Sequence, residues 1–265
     1  MRAMVTGASI DGIGGAICRK LAHDAAARGE RARIAACTTG TRSNGLELIA
    51  ELHELGADAI ALTGDLRDPD VPARLVSDAV AFCRGLDALV ANAGLRRAKP
   101  LLDLDVLGWD EVFAVNARAT WLLAKAAHPA LKASRGSVVA ITSIAGIYPN
   151  AGTGAYTPSK AAEISLCQAL AVEWAADGIR VNAVAPGLIR TRHAAAVYAD
   201  ATLAAQRDAI VPMNRVGTPA DVAGAVAMLL GSDAAYLTGQ NIVVDGGLAL
   251  TVMKRVPGRP LPAIS

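Results

Sequence analysis

The chain has 265 residues, enough to bury one sizeable core, and its formal net charge of +2 is too near neutral to make a polyanion-binding surface. With no basic run carrying interleaved aromatics and no apolar segment of the ~18 residues a membrane span needs, neither nucleic acid nor membrane is expected as a partner. Hydrophobic residues make up 53% and aromatics only 3%, so the core must be aliphatic and alanine-rich, a composition that suits helices packed closely on a parallel sheet.

Cys18, Cys37, Cys83 and Cys167 have no CxxC or Cys/His ligand spacing and read as reduced, packed thiols of a cytoplasmic protein. His23, His53, His128 and His193 are scattered, so no metal is expected. Met1 leads directly into the first strand, which leaves no room for a signal peptide. No repeat or linker divides the chain, and a single domain over residues 1–265 is expected, with a tail from 250 to 265.

In chain order, Arg2 to Val5 reads as a strand, followed by the turn Thr6-Gly7-Ala8-Ser9-Ile10-Asp11-Gly12-Ile13-Gly14 and a helix from Gly15 to about Arg28. Strand, glycine-rich turn and helix form a dinucleotide-binding arrangement. Glycines admit a pyrophosphate close to the backbone, and the helix amino terminus supplies free N–H groups. Gly7, Ser9, Gly12, Ile13 and Gly14 are the candidate contacts. Arg33 to Cys37 is the second strand, and no carboxylate occurs between Cys37 and Leu46 to bind a ribose 2′-hydroxyl. The hydroxyls beginning at Thr38, with Arg42, suit a 2′-phosphate better, which favours NADP over NAD.

A helix from Asn44 to Leu55 leads to a strand at Ala59 to Leu62 that ends at Gly64-Asp65-Leu66, and an amphipathic stretch from Asp70 to Cys83 leads to the strand Ala88 to Ala91 and then Asn92-Ala93-Gly94. The helical run Trp109 to Leu131 contains Asn116, a residue disfavoured mid-helix unless a buried partner or a kink satisfies it. The apolar run Val138 to Ile141 is a buried strand with Ser143 just beyond its carboxyl end. A helix from Thr153 to Ala176 carries Tyr156 and Lys160, four apart and so on one face. A nearby ammonium favours the phenolate, and general acid–base chemistry gains from that. Ile179 to Ala185 is a sixth strand, ending at Pro186-Gly187-Leu188-Ile189-Arg190-Thr191. Arg192 to Val211, polar and alanine-rich, has the character of a lid. Pro219 precedes a helix from Asp221 to Leu230, and Asn241 to Val244 is a last buried strand.

Ser143, Tyr156 and Lys160 match the S-x12-Y-x3-K arrangement of the short-chain dehydrogenase/reductase family, and the resemblance runs from TGAS near the amino terminus to VVDGG, about nine tenths of the chain. It implies a seven-stranded, doubly wound parallel sheet of Rossmann type with the cofactor across its carboxyl edge. In such a protein Ser143 holds the substrate oxygen, Tyr156 gives or takes its proton, and Lys160 holds the nicotinamide ribose. Asn116 holds a water that links the lysine to solvent. Asp65 and Leu66 contact adenine, Asn92, Ala93 and Gly94 lie under the ribose, and Pro186 and Gly187 open the nicotinamide-side loop in which the backbone of Ile189 and the hydroxyl of Thr191 hold the carboxamide. The family's TGxxxGxG turn is one residue longer here, and the extra residue, Ile10 or Asp11, is expected to bulge near the adenosine ribose.

The resemblance further implies a homotetramer and interconversion of a secondary alcohol and a ketone by NADP or NAD. It is closest to small sugar or alcohol dehydrogenases and to 3-oxoacyl carrier-protein reductases. Ser134 and Asp177 stand where the latter carry basic residues, which disfavours an acyl carrier protein, although Lys132, Arg135 and Arg180 are near. Arg96, Arg97, Tyr148, Asn150, Arg190, Arg192 and His193 form a polar and basic set around the expected pocket, fit for a small hydroxylated or anionic substrate such as a sugar or polyol. A cofactor-binding sensor without catalysis is the reading from another class. The presence of both Tyr156 and Lys160 argues against it.

Overall fold

In the computed structural model, which describes residues 1–39, 42–191 and 195–255, seven short apolar runs become strands: β1 (Arg2–Thr6), β2 (Arg33–Thr38), β3 (Asp58–Thr63), β4 (Ala88–Ala91), β5 (Ser137–Ile141), β6 (Arg180–Pro186) and β7 (Asn241–Val244). They pair in parallel throughout, in the order β3-β2-β1-β4-β5-β6-β7. The order reverses between β1 and β4, the place where open sheets of this kind bind ligands beyond the strands' carboxyl ends. The doubly wound fold expected from the sequence is present.

Successive residues on each strand face opposite layers. Ala3, Val5, Ile34, Ala36, Val90, Val139 and Ile141 pack against α1 (Ile13–Ala27), α2 (Arg42–Glu54) and α9 (Pro219–Leu230). Met4, Ala35, Leu89, Ala91, Val138 and Ala140 meet α3 (Val71–Cys83), α5 (Ala119–Ser134) and α6 (Tyr156–Trp174) on the other side. Both faces are covered, which is why β4 and β5 are buried at every position. No aromatic side chain is among the buried core residues described, as the composition requires.

Several boundaries differ from the sequence reading. The helical run around Asn116 starts earlier, as α4 (Val106–Phe113), and passes through a π turn at Ala114–Arg118 before α5. Helix α6 begins at Tyr156 rather than Thr153, because Gly152 and Gly154 hold left-handed φ angles of 74° and 58° that a helix excludes. Pro219 is the first residue of α9 rather than the one before it; it sits behind the Thr218–Asp221 capping box, where a missing N–H costs nothing. Strand β7 is half-buried, with Val243 40% exposed, because it is the sheet's edge. The segment expected as a lid folds as α7 (Ala195–Ala199) and α8 (Ala201–Ile210), with Asp200 capping α8 through Thr202 N and Leu203 N. Residues 256–265 of the tail lie outside the described residues.

Candidate active site

A cleft of about 1110 Å³ opens along the carboxyl edge of the sheet. At one end the turn after β1 lines it with Gly7, Ser9, Gly12 and Ile13. Gly7 has φ +62°, and a Cβ there would come within 2.8 Å of Asn92 Nδ2 and 2.9 Å of Ala93 Cα. Gly14 does not line the cleft; a Cβ on it would strike the Gly7 carbonyl at 2.6 Å, so it permits the close packing of the turn on itself. Helix α1 starts at Ile13 with no side-chain cap and no acidic residue in its first turn. Its unpartnered N–H groups and dipole therefore remain available to an anion at the cleft. A glycine cradle beneath an uncapped helix end fits a dinucleotide pyrophosphate.

The extra residue of the turn does not enter the cleft lining. Ile10 packs against the apolar core, Asp11 is exposed, and neither lines the cavity. Thr38 and Thr39 line the cleft at the end of β2, while the side chain of Arg42 lies outside the described residues.

Beyond β3, Asp65 and Leu66 line the same cavity. The carboxylate of Asp65 is already engaged: it accepts from Arg67 N at 3.0 Å and from Arg67 Nη2 at 2.6 Å. Those Arg67 bonds hold it below the ordinary carboxylate range. Beyond β4, Asn92 Nδ2 donates to the carbonyls of Thr6 and Gly7 at 2.9 and 3.0 Å, and the amides of Asn92 and Ala93 donate to Thr6 Oγ1. The Asn side chain thus ties the ends of β1 and β4 together. Ala93 and Gly94 then form cleft floor.

Ser143, two residues past β5, and Tyr156 and Lys160 on the first turns of α6 all line the cleft. Ser143 Oγ accepts from Ala145 N at 3.1 Å. Lys160 is buried, its Nζ donating to Ile141 O and to Glu163 Oε2, both at 2.7 Å. Burial alone favours the neutral amine, but the charges of Glu163 and Tyr156 hold Lys160 above the ordinary amine value. Across the opening stand Pro186, Gly187, Ile189 and Thr191, with Tyr198 of α7 and Arg207 of α8.

Asn116 is buried in the π turn and does not line the cleft. Its Oδ1 accepts from Leu95 N at 2.7 Å, and its Nδ2 donates to Leu95 O at 3.0 Å and Ser159 Oγ at 2.9 Å. These bonds fasten the loop after β4 to α6, which answers the mid-helix Asn with both a partner and a kink.

Of the basic residues expected near the pocket, Arg96 and Arg97 line it, but Arg97 pairs with Glu111. The Arg96 guanidinium lies 5.9 Å from the ring centre of Tyr156. Arg190 stacks on Tyr198 at 4.9 Å and approaches Asp208 at 3.7 Å. Tyr148 and Asn150 are exposed and do not line the cleft, and Arg192 and His193 lie outside the described residues. The sequence reading missed Glu163, Thr120, Tyr198 and Arg207. For Glu163 the signal was present: 156, 160, 163 and 167 share one helical face, and a carboxylate on it needs a partner.

A dinucleotide cradle and a Ser, Tyr and Lys set in one cleft define a nucleotide-dependent oxidoreductase site. A family model described as Enoyl-(Acyl carrier protein) reductase matches residues 7–249. The chain is 37% identical to Dehydrogenase/reductase SDR family member 4 of Oryctolagus cuniculus, covering 92% of each protein. It is 38% identical to cis-4-hydroxycyclohexanecarboxylate dehydrogenase of Sinomonas cyclohexanicum, over 92% of this chain and 95% of the relative. A crystal structure designated an NAD(P) dependent gluconate 5-dehydrogenase of Beutenbergia cavernae, with NADP bound at low occupancy, superposes with a TM-score of 0.83 at 35% identity, covering 94% of this chain and 96% of that one. The chain belongs to the short-chain dehydrogenase/reductase family and is an oxidoreductase acting on alcohols.

Proposed function

We propose that the protein interconverts a secondary alcohol and a ketone on a small polar substrate, a sugar, polyol or hydroxy acid, with NADP preferred over NAD. The observation that carries this reading is the meeting of Ser143, Tyr156 and Lys160 in one cleft with the uncapped glycine turn at its other end. The dinucleotide, held by the α1 turn, Thr38, Asn92 to Gly94 and the Pro186 to Thr191 loop, supplies or removes hydride when bound. Ser143 Oγ donates a hydrogen bond to the substrate oxygen. Tyr156 transfers its proton at that oxygen. Lys160 has three N–H donors, and with two committed to Ile141 and Glu163 one remains for a ribose hydroxyl. Asn116 keeps the loop under the ribose site and α6 in register.

The polar character of the substrate rests on Arg96 and Arg207, guanidinium groups on the cleft wall that form no ion pair among the described residues. Both relatives named above that act on a carboxylate-bearing substrate, by their names, support the same class. The hydroxyls of Thr38 and Thr39 and the NADP in the Beutenbergia structure support the cofactor preference.

Reduction of a carrier-linked 3-oxoacyl group is the second reading; the description of the family model shares with it the acyl carrier protein but names an enoyl group. Against it, Ser134 and Asp177 stand where such reductases carry basic residues, and two of the three nearby basic groups are engaged. Lys132 pairs with Asp177 at 2.7 Å, and Arg180 donates to the carbonyls of Leu229 and Gly231. A homotetramer in the cytoplasm is part of the proposal; for the assembly, the exposed Leu101, Leu102, Val106 and Leu107 around α4 and the half-bare edge strand offer apolar surface to another copy. Turnover of sugar acids, aldoses and polyols should be measured against acetoacetyl thioester, each with NADP and NAD. A kcat/KM at least about tenfold higher for a hydroxylated acid or sugar with NADP is expected. Fastest turnover of the thioester, or of any substrate with NAD, overturns the corresponding half of the proposal.

A further inference from the structure

We propose that Glu163, with Thr120 behind it, is a positioning residue for Lys160: a buried carboxylate that fixes the ammonium at the ribose side of the cleft and keeps the local charge balanced during proton transfer. The inference rests on the roles given above to Lys160 and Tyr156 and adds a residue to them.

Glu163 is fully buried on the α6 face that carries Tyr156, Lys160 and Cys167. One carboxylate oxygen accepts from Lys160 Nζ at 2.7 Å, and the other accepts from Thr120 Oγ1 at 2.8 Å. Thr120 Oγ1 also lies 3.3 Å from the carbonyl of Asn116 in the π turn. With one hydroxyl proton to give, the shorter and charge-assisted bond to the carboxylate takes it. The result is a chain of contacts from α5 through Thr120 and Glu163 to the amine. An uncompensated charge in this interior is costly, so carboxylate and ammonium are held together. Burial pushes the Glu163 carboxyl up, against the pull of Lys160 and Thr120 toward the ionised form.

The charged and titratable groups facing this pair among the described residues are few. On α6 they are Tyr156 and Cys167, whose thiol burial pushes far up, so that it stays neutral. From the loop after β4 comes Arg96, over the Tyr156 ring. From α5 and the π turn come only the neutral Thr120 and Asn116. Ketone reduction needs the protons of both Lys160 and Tyr156 in place. Taking the buried negative charge away from beside Lys160 makes the ammonium proton easier to lose.

The test is the pH profile of kcat/KM for ketone reduction in Glu163→Gln and Glu163→Asp, on enzyme whose activity depends on Tyr156 as shown by an inactive Tyr156→Phe variant. If the wild type is inactive or Tyr156→Phe is active, the parent reading has failed instead. In Glu163→Gln, confirmed as folded by its melting transition and by cofactor fluorescence, the alkaline limb should move to lower pH by on the order of one unit. Glu163→Asp keeps the charge but withdraws it by one methylene, so the limb should stay and kcat should fall severalfold. A Gln variant whose profile superimposes on the wild type reduces Glu163 to a structural ion pair. Should Glu163→Gln not fold, Glu163→Asp decides alone: a lower kcat with an unmoved limb supports the proposal, while an unchanged kcat or a shifted limb overturns it.

Discussion

Lys160 offers three N–H donors, and the protein interior claims two of them. The amine is thereby fixed before any ligand arrives, a preorganisation that flexible lysines lack. Its position and that of Tyr156 were legible in the sequence because a four-residue spacing on a helix is local geometry, and Ser143 because it follows an apolar strand. Glu163 stood on that same helical face, but its burial and its bond to Thr120 come from α6 packing against the π turn and the start of α5, which the spacing alone does not show. Asp65 shows the reverse case. Its placement in the cleft was readable, but its capture by Arg67 two residues on was not. At Gly7 the left-handed φ and the 2.8 Å approach of a Cβ to Asn92 make a substitution doubly strained. Gly7→Ala should lose about 1–3 kcal/mol in a urea titration and weaken cofactor binding; an unchanged midpoint with unchanged affinity would contradict the cradle.

At the scale of elements, the sheet's switch point is tied at both ends. Asn92 closes the carboxyl end of β1 and β4, and Asp87 closes the amino end, accepting from Arg2 N at 2.8 Å and Arg2 Nη2 at 2.5 Å. Burial opposes ionisation of Asp87, yet the Arg2 bonds win and hold it below the ordinary carboxylate range. A carboxyl depressed in the folded state stabilises above its unfolded value, near ~4, and the contribution disappears as pH falls through the folded value. Asp87→Asn should therefore cost about 1–2 kcal/mol at pH 7, allowing for its partial exposure, and less at a pH below the ordinary carboxylate value. Equal losses at both pH values, by chemical denaturation, would exclude the charge as the cause. Strand limits came within two residues of the sequence reading because buried parallel strands are apolar at every position. The π turn did not, since a backbone register change leaves only a single misplaced Asn as its trace.

Over the whole molecule, four buried thiols sit in a core with no aromatic side chain among its buried described residues. Burial pushes Cys18 up to about 12 and Cys83 up to about 11, and Cys37 and Cys167 higher still. None should react with an aromatic disulfide reagent at pH 8 until the fold opens, and four equivalents should react in denaturant; rapid native labelling would refute the burial. The sequence predicted this core from its composition alone, but it could not show which charges line the finished cleft. Arg207 reaches it from α8, far along the chain. All of these parts serve one claim, that Tyr156 moves the proton while Ser143 and Lys160 place the reactants. The most direct measurement is kcat/KM of Tyr156→Phe beside its cofactor dissociation constant. The account predicts turnover down by at least about a thousandfold with cofactor affinity within about threefold of wild type; turnover near the wild-type value would contradict it.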